Sequence, residues 1–282
     1  MRAPATTART AEVRRSLAAV GAAAMVWAAT ACGDDIPAAV PTSAAPTGAA
    51  PMSAAPSPTE PAPIPAASAA PVTGVYHPTV DPTAFSSTVD NPFFPLRPEM
   101  RWDYRTRTEG GVETTVVVVT TKTRTIMGAP CVEVHDTVRL DGQVIEDTLD
   151  WYAQHRDGTV WYFGEDTKEY EDGKATTTEG SWEAGVNGAM PGIVMPANPT
   201  VGERYRQEFY RGHAEDIGEV LSLTDTAGVP TGSYTGVVKT KDTTPLEPKV
   251  LEHKYYASGV GPVLTIDVAG GGTRDELVRF TK

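Results

Sequence analysis

The chain has 282 residues, with 24 Lys or Arg against 36 Asp or Glu, for a net charge of −12. An acidic surface of this kind repels polyanions, which argues against nucleic acid as a partner. Two cysteines, Cys32 and Cys131, leave no disulfide framework and no cysteine-built metal site.

Residues 1–31 read as a lipoprotein signal peptide. Arg2, Arg9, Arg14 and Arg15 precede an apolar run from Leu17 to about Ala29. The run has signal-peptide length and is short of the ~20 residues that span a bilayer. It ends in Ala29-Thr30-Ala31-Cys32, which resembles the lipobox of bacterial lipoproteins. That resemblance implies cleavage before Cys32, acylation of its thiol with a chain such as palmitate, and a lipid anchor on an extracytoplasmic face of the cell envelope. The membrane is then the first partner. A plain secretory signal cut near Ala31, or an uncleaved anchor, is the competing interpretation. Without the leader the chain keeps 20 basic and 35 acidic residues, about −15. Residues 32–74 are Ala, Pro, Ser and Thr with almost no charge. They cannot bury enough apolar surface to offset backbone entropy, so they form a disordered tether. Residues 75–282 are long enough for a single β domain with its own core.

Within that domain the pattern is a run of about eight residues, a turn signal, and another run. Strands are expected at Arg101–Thr108, Val112–Thr125, Cys131–Leu140, Gln143–Gln154 and Thr159–Gly164. A long Gly/Pro-rich stretch, Gly180–Gly202, follows, carrying Trp182, Met190, Ile193, Val194 and Met195. It reads as a packed covering loop, either a fixed cover or a ligand lid. Further strands are expected at Glu203–Arg211, Glu215–Leu223, Ser233–Lys241, Lys249–Ala257, Pro262–Val268 and Arg274–Phe280. Short links imply antiparallel hairpins. The fold class is therefore all-β, a mainly antiparallel meander curved into a half-barrel, clam or partly closed barrel.

The Asp141-Gly142 turn pairs Leu140 with Gln143. Strict counting from there pairs Val138 with Ile145, Asp136 with Asp147, Val134 with Leu149 and Val132 with Trp151, all on one apolar face. Asp136 and Asp147 are then two carboxylates looking into a core. Such a pair could bond structural donors, hold a cation, or do acid–base work. Tyr152, Gln154, Trp161 and Phe163 fall on the opposite face, which is too aromatic to stay wet and calls for a cover or a ligand. The Gly212-His213-Ala214 loop pairs Phe209 with Ile217, Gln207 with Glu219 and Tyr205 with Leu221, again leaving one polar pair among hydrophobes. The candidate binding residues are accordingly Asp136, Asp147, Tyr152, Trp161, Trp182, Gln207 and Glu219. His253, alternating with Leu251 and Tyr255, is expected to face the core, and Cys131 to be a buried, inert thiol. No cofactor motif is present: there is no nucleophile elbow, Walker loop or dinucleotide fingerprint. A divalent cation on the acidic pair is the one ion the spacing suggests.

Asn91-Pro92-Phe93-Phe94-Pro95-Leu96, the Asp150–Asp166 hairpin, Gly180–Gly185, Pro191-Gly192-Ile193, Tyr205–Glu208 and Lys254–Ala257 together resemble a bacterial family of secreted or lipid-anchored β proteins without an assigned activity. More loosely, the meander ending in Tyr255–Gly261 is similar to envelope half-barrels of the LolA/LppX type. That likeness implies a binding domain for an apolar small molecule or lipid. Beside it stand two other readings, an extracytoplasmic hydrolase built on the carboxylate pair and a purely structural surface lipoprotein.

If Cys32 carries the anchor, Cys32→Ser should shift the protein out of the membrane fraction or leave it as an uncut precursor. Mass spectrometry of the natural N-terminus checks this directly, and a mature terminus without an acyl group would refute it.

Overall fold

The computed structural model describes Val72 and residues 74–282. The signal peptide, Cys32 and almost all of the tether lie outside the described residues. A short 3-10 turn, Pro82–Ala84, opens the fold; Asp81 caps it by accepting from the Thr83 N–H, and proline sits at its first position. Proline suits that place because its missing N–H would have had no partner there.

The strands follow in chain order. β1 is Phe85–Ser86, β2 Arg101–Thr108, β3 Gly111–Ile126, β4 Ala129–Leu140, β5 Gln143–His155 and β6 Val160–Glu171. Three short strands, β7 (Lys174–Thr177), β8 (Trp182–Glu183) and β9 (Met190–Met195), each pair with β6. The second half comprises β10 (Arg204–Arg206), β11 (Glu208–Phe209), β12 (Ile217–Val229), β13 (Gly232–Thr243), β14 (Leu251–Ala257), β15 (Gly261–Asp267) and β16 (Thr273–Thr281).

All pairings are antiparallel, in the order β10-β12-β13-β14-β15-β16-β2-β3-β4-β5-β6-β9-β11. The two ends of this sheet, β10 and β11, are separated in the chain only by Gln207. The sheet must therefore curl until its ends meet, giving a nearly closed antiparallel barrel. The seam lies between β9 and β10, where no ladder forms among the described residues. Closure matters because an open edge would present unpaired N–H and C=O groups.

The expected meander is thus present, with two corrections. The Gly180–Gly202 stretch is not a covering loop. It supplies β8 and β9, which extend the wall along β6. The second hairpin is offset from the expected one. Phe209 pairs with Met190 across the seam, while Tyr205 pairs with Gly218 and Arg204 with Glu219. Gln207 is where the strand changes partners, so counting back from its loop could not give the register.

The seam is pinned at Gln207. Its N–H donates to the Asp216 carbonyl at 2.8 Å. Its side-chain amide donates to Asp242 Oδ2 at 3.1 Å. Its own carbonyl lies directly over Gly192 of β9, where any Cβ would overlap it. The described N-terminal segment crosses the same place: Tyr76 donates its hydroxyl to the Pro191 carbonyl at 2.8 Å and stands edge-on to Phe209. Arg206 donates to the Val72 carbonyl at 3.0 Å and covers the Phe209 ring at 4.6 Å. The chain thus enters the domain along the seam it helps to cover.

At one end the segment containing Asn91–Leu96 folds inward. Asn91 donates to the Gly158 and Pro196 carbonyls. Phe94 then reaches Tyr152 of β5 at 5.4 Å and Tyr256 of β14 at 6.4 Å between ring centres. Those strands belong to different walls, so Phe94 lies inside the barrel as a plug.

Gly192→Ala should force β9 and the Gln207 peptide apart and destabilise the domain by about 1–3 kcal/mol, the range of core overpacking. Gly228→Ala, with nothing within 4 Å of the new methyl, should change stability by less than ~1 kcal/mol. Denaturant unfolding of the two variants measures the difference; equal midpoints would show that the close approach at the seam carries no weight.

Candidate functional site

The Asp-Gly turn forms as read: Leu140 pairs with Gln143, and Asp141 and Gly142 take the positive φ of 46° and 87° that such a turn requires. The next step departs from strict counting. Arg139 pairs with Val144, then Val138 pairs with Glu146, leaving Ile145 as a bulge. One extra residue exchanges the faces of everything beyond it. Asp136 is consequently opposite Thr148, not Asp147, and Val134 is opposite Asp150.

The expected Asp136–Asp147 pair therefore does not exist. Asp147 lies on the outer face, part-exposed, with Oδ2 2.9 Å from His135 Nε2. The Gln207–Glu219 pair is absent as well. Glu219 is bridged on the outside by Lys241 at 2.6 Å and Arg204 at 3.7 Å, while Gln207 is buried against Asp242. Tyr152 and Trp161 were expected to share a face, but a second bulge, between the Trp151–Gly164 and Tyr152–Tyr162 pairs, separates them. Tyr152 stacks on Tyr162 at 4.8 Å inside the barrel. Trp161 is packed by Phe85 of β1, as is Phe163, so its role is structural cover. Trp182 meets Tyr162 edge-on at 5.3 Å and donates its indole N–H to Glu208 at 3.0 Å. His253 is only partly buried. Its neighbours Glu252, Lys254 and Tyr256 take the buried positions, and Tyr256 faces Phe94 inside the barrel. Cys131 is buried as expected, and burial pushes its thiol up to about 12.

The registers place the interior residues rung by rung. Near the Phe94 plug stand Trp102, Tyr152, Tyr162 and Tyr256. The next rungs carry Tyr104, Val117, Val134, Asp136, Asp150 and Glu165. Beyond them, toward the far end, come Glu113, Glu146, Glu169 and Asp275. The interior is thus aromatic at the plugged end and acidic toward the other. Among the described residues nine carboxylate side chains are buried and two basic ones, Arg206 and Lys254.

A cavity of about 60 Å³ lies at the junction, with Phe94, Leu96, Trp102, Tyr104, Tyr152 and Tyr256 on its walls and Asp136, Asp150, Lys254 and Thr265 as its polar members. Asp150 is anchored by the Tyr162 hydroxyl, which donates to Oδ1 at 2.6 Å. Lys254 is engaged by Asp242 at 3.0 Å and Glu252 at 3.7 Å. Asp136 differs: it is 2 % exposed and its Oδ1 has no hydrogen-bond partner. Burial drives its carboxyl well above the usual range, and the nearby acids Asp150, Glu146, Asp275 and Asp147 push it the same way. Burial raises Asp150 also, to about 7, against the lowering effect of the Tyr162 bond. Among the described residues no three His, Cys, Asp or Glu side chains are grouped to hold a metal ion.

Of the residues singled out by sequence, then, Asp136 and Tyr152 meet in one cavity, Trp182 and Gln207 line the interior elsewhere, and Asp147, Trp161 and Glu219 lie outside it. Asp150, Tyr104, Trp102 and Lys254 were missed. Asp150 could have been found by allowing a bulge after the turn; nothing in the sequence marks Lys254 as inward.

Comparison of the chain with protein-family models and with curated proteins finds no match. Among solved structures, the chain is similar to a candidate lipoprotein from Parabacteroides distasonis. The identity is 13% and the TM-score 0.37, over 67% of this chain and 98% of that one.

The buried acids make stability depend on pH in an unusual direction. Burial pushes Asp275 up to about 7, and Glu252 to about 8 despite the nearby Lys254. An unfolded carboxyl titrates near 4. Between about pH 4 and 8 the native state therefore binds more protons than the unfolded one, and stability falls as pH rises through that window. Asp275→Asn keeps a neutral group at the bond from Thr106, 2.7 Å in the native protein. It should flatten part of the fall and raise stability at pH 8 by up to ~4 kcal/mol. Unfolding curves at pH 5, 6.5 and 8 read this; an unchanged slope would mean that Asp275 is ionised at no cost.

Proposed function

We propose that the protein is a lipid-anchored, extracytoplasmic binding protein of the cell envelope whose β-barrel takes a small ligand in the cavity beside the Phe94 plug. The observation that carries the reading is a concave site with aromatic walls and a buried acid, Asp136, whose Oδ1 has no hydrogen-bond partner. Small-ligand sites have this composition, mostly apolar with a few placed polar groups. The anchor rests on the Ala29–Cys32 lipobox and the Ala/Pro tether, which would hold the domain away from the bilayer. The surface charge agrees with that arrangement, because an acidic domain is repelled by anionic headgroups.

Size narrows the ligand. The cavity is less than half the ~150 Å³ that houses a benzene molecule, so it suits a small molecule or the end group of a longer one better than an acyl chain. The hydrolase reading loses the Asp136–Asp147 pair on which it was built, since Asp147 lies on the outer face against His135.

Native mass spectrometry of the protein released from its own envelope tests the binding reading. A retained small molecule, lost in Tyr152→Ala, is the expected result. A bare mass from both proteins, with no small molecule protecting the unsubstituted one against heat, would count against a binding role.

A further inference from the structure

Asp136 sits where a carboxylate is expensive. An unpaired charge in an apolar surrounding costs several kcal/mol unless it is neutralised. Neighbouring strands offer no relief: the groups acting on it are Asp150, Glu146 and Asp147 from β5 and Asp275 from β16, all acidic. Tyr104 of β2 is held by the Pro262 carbonyl, to which it donates at 2.9 Å. Lys254 of β14 is the one cation on the cavity wall, and it is committed to Asp242 and Glu252. The site thus has a surplus of negative groups, an aromatic enclosure, and on its wall a buried acid whose Oδ1 has no hydrogen-bond partner. Aromatic faces attract cations through their quadrupoles, most strongly where water is excluded. The acidic far end adds a field that draws positive solutes inward.

We propose that the ligand is a small organic cation, an alkylammonium or the ammonium end of a longer amine. Its N–H groups donate to Asp136 and Asp150, and its alkyl part packs against Trp102, Tyr104, Tyr152 and Tyr256. This rests on the binding function proposed above and specifies its chemistry. An organic cation fits better than a metal ion because two acidic acceptors and an apolar wall suit an alkylammonium, whose N–H groups can be shared between them. A hard divalent ion takes six or more oxygens, and no three carboxylates are grouped here among the described residues. Binding demands ionised carboxylates, so it releases protons and strengthens as pH rises.

The test uses the full domain with its tether and three solutes at matched concentration: propylammonium chloride, n-propanol and sodium chloride. Saturation-transfer NMR and melting curves at pH 8 are the readouts. Propylammonium should bind saturably and raise the melting temperature, while propanol and sodium chloride should not. Its affinity should fall at least tenfold between pH 8 and pH 5.5, and at least tenfold in Asp136→Asn at pH 8. If that variant fails to fold, Asp150→Asn and the solute comparison on the unsubstituted protein still decide. Equal binding of propylammonium and propanol would overturn the cation assignment while leaving a binding cavity in place. A response shared with sodium chloride would reduce the effect to screening of an acidic protein and overturn it also. No binding of propylammonium, with another molecule retained from the envelope, would reject the ligand class and keep the binding function. No binding with nothing retained would reject both.

Discussion

The barrel depends on the peptide at Gln207. A sheet this long needs both of its ends protected, and here the ends are consecutive pieces of one extended segment. β10 pairs with β12 on one side of Gln207, and β11 pairs with β9 on the other. Everything that makes the junction possible is local: the bond from the Gln207 N–H to Asp216, the lack of a side chain at Gly192, and the Gln207 amide on Asp242. Asp242 in turn accepts from Lys254 and from the Thr240 hydroxyl. A buried ion pair is stabilising only when its remaining lone pairs are satisfied, and this one is tied to Gln207 at the seam, Thr240 on β13 and Glu252 on β14. The polar network and the closure of the sheet are one structural device.

That dependence explains what was legible in the sequence. The number and spacing of strands follow from short apolar runs and Gly-rich turns, and those signals are local. The all-β meander and its curvature could therefore be read, as could the Asp141-Gly142 turn. The faces could not. Ile145 is one residue of bulge, and it exchanges the places of Asp147 and Asp150. Trp161 and Tyr152 were assigned to one surface because strict alternation was carried through a second bulge. The partner change at Gln207 is a tertiary event with no sequence mark, since the Gly212 loop beside it looks like an ordinary hairpin. Alternation is exact only within an unbroken ladder, and a barrel this curved breaks its ladders repeatedly.

The candidate site was legible in kind and not in membership. Asp136 attracted notice as an acid on an apolar strand, and it is indeed buried. Its companion was misassigned, and Lys254 was hidden because the apolar Leu251-His253-Tyr255 alternation looked like the inward face. The inward set on β14 is Glu252, Lys254 and Tyr256. Hydropathy fails for such a strand: the interior is polar near the seam, so the polar residues are the buried ones.

Two groups of buried carboxylates should therefore be kept apart. Asp242 and Glu252 surround Lys254, and Glu208 takes the Trp182 indole N–H. These acids are bonded to neighbours within the wall. Asp136 has no such partner at Oδ1 and lines the cavity. A barrel filled with well-packed aliphatic residues at that position would avoid the desolvation cost altogether. The fold tolerates a carboxyl there as the neutral acid, which burial and the surrounding acids favour. Asp150, on the same wall, is tied instead to the Tyr162 hydroxyl, so the cavity holds one bonded acid and one with a bare Oδ1.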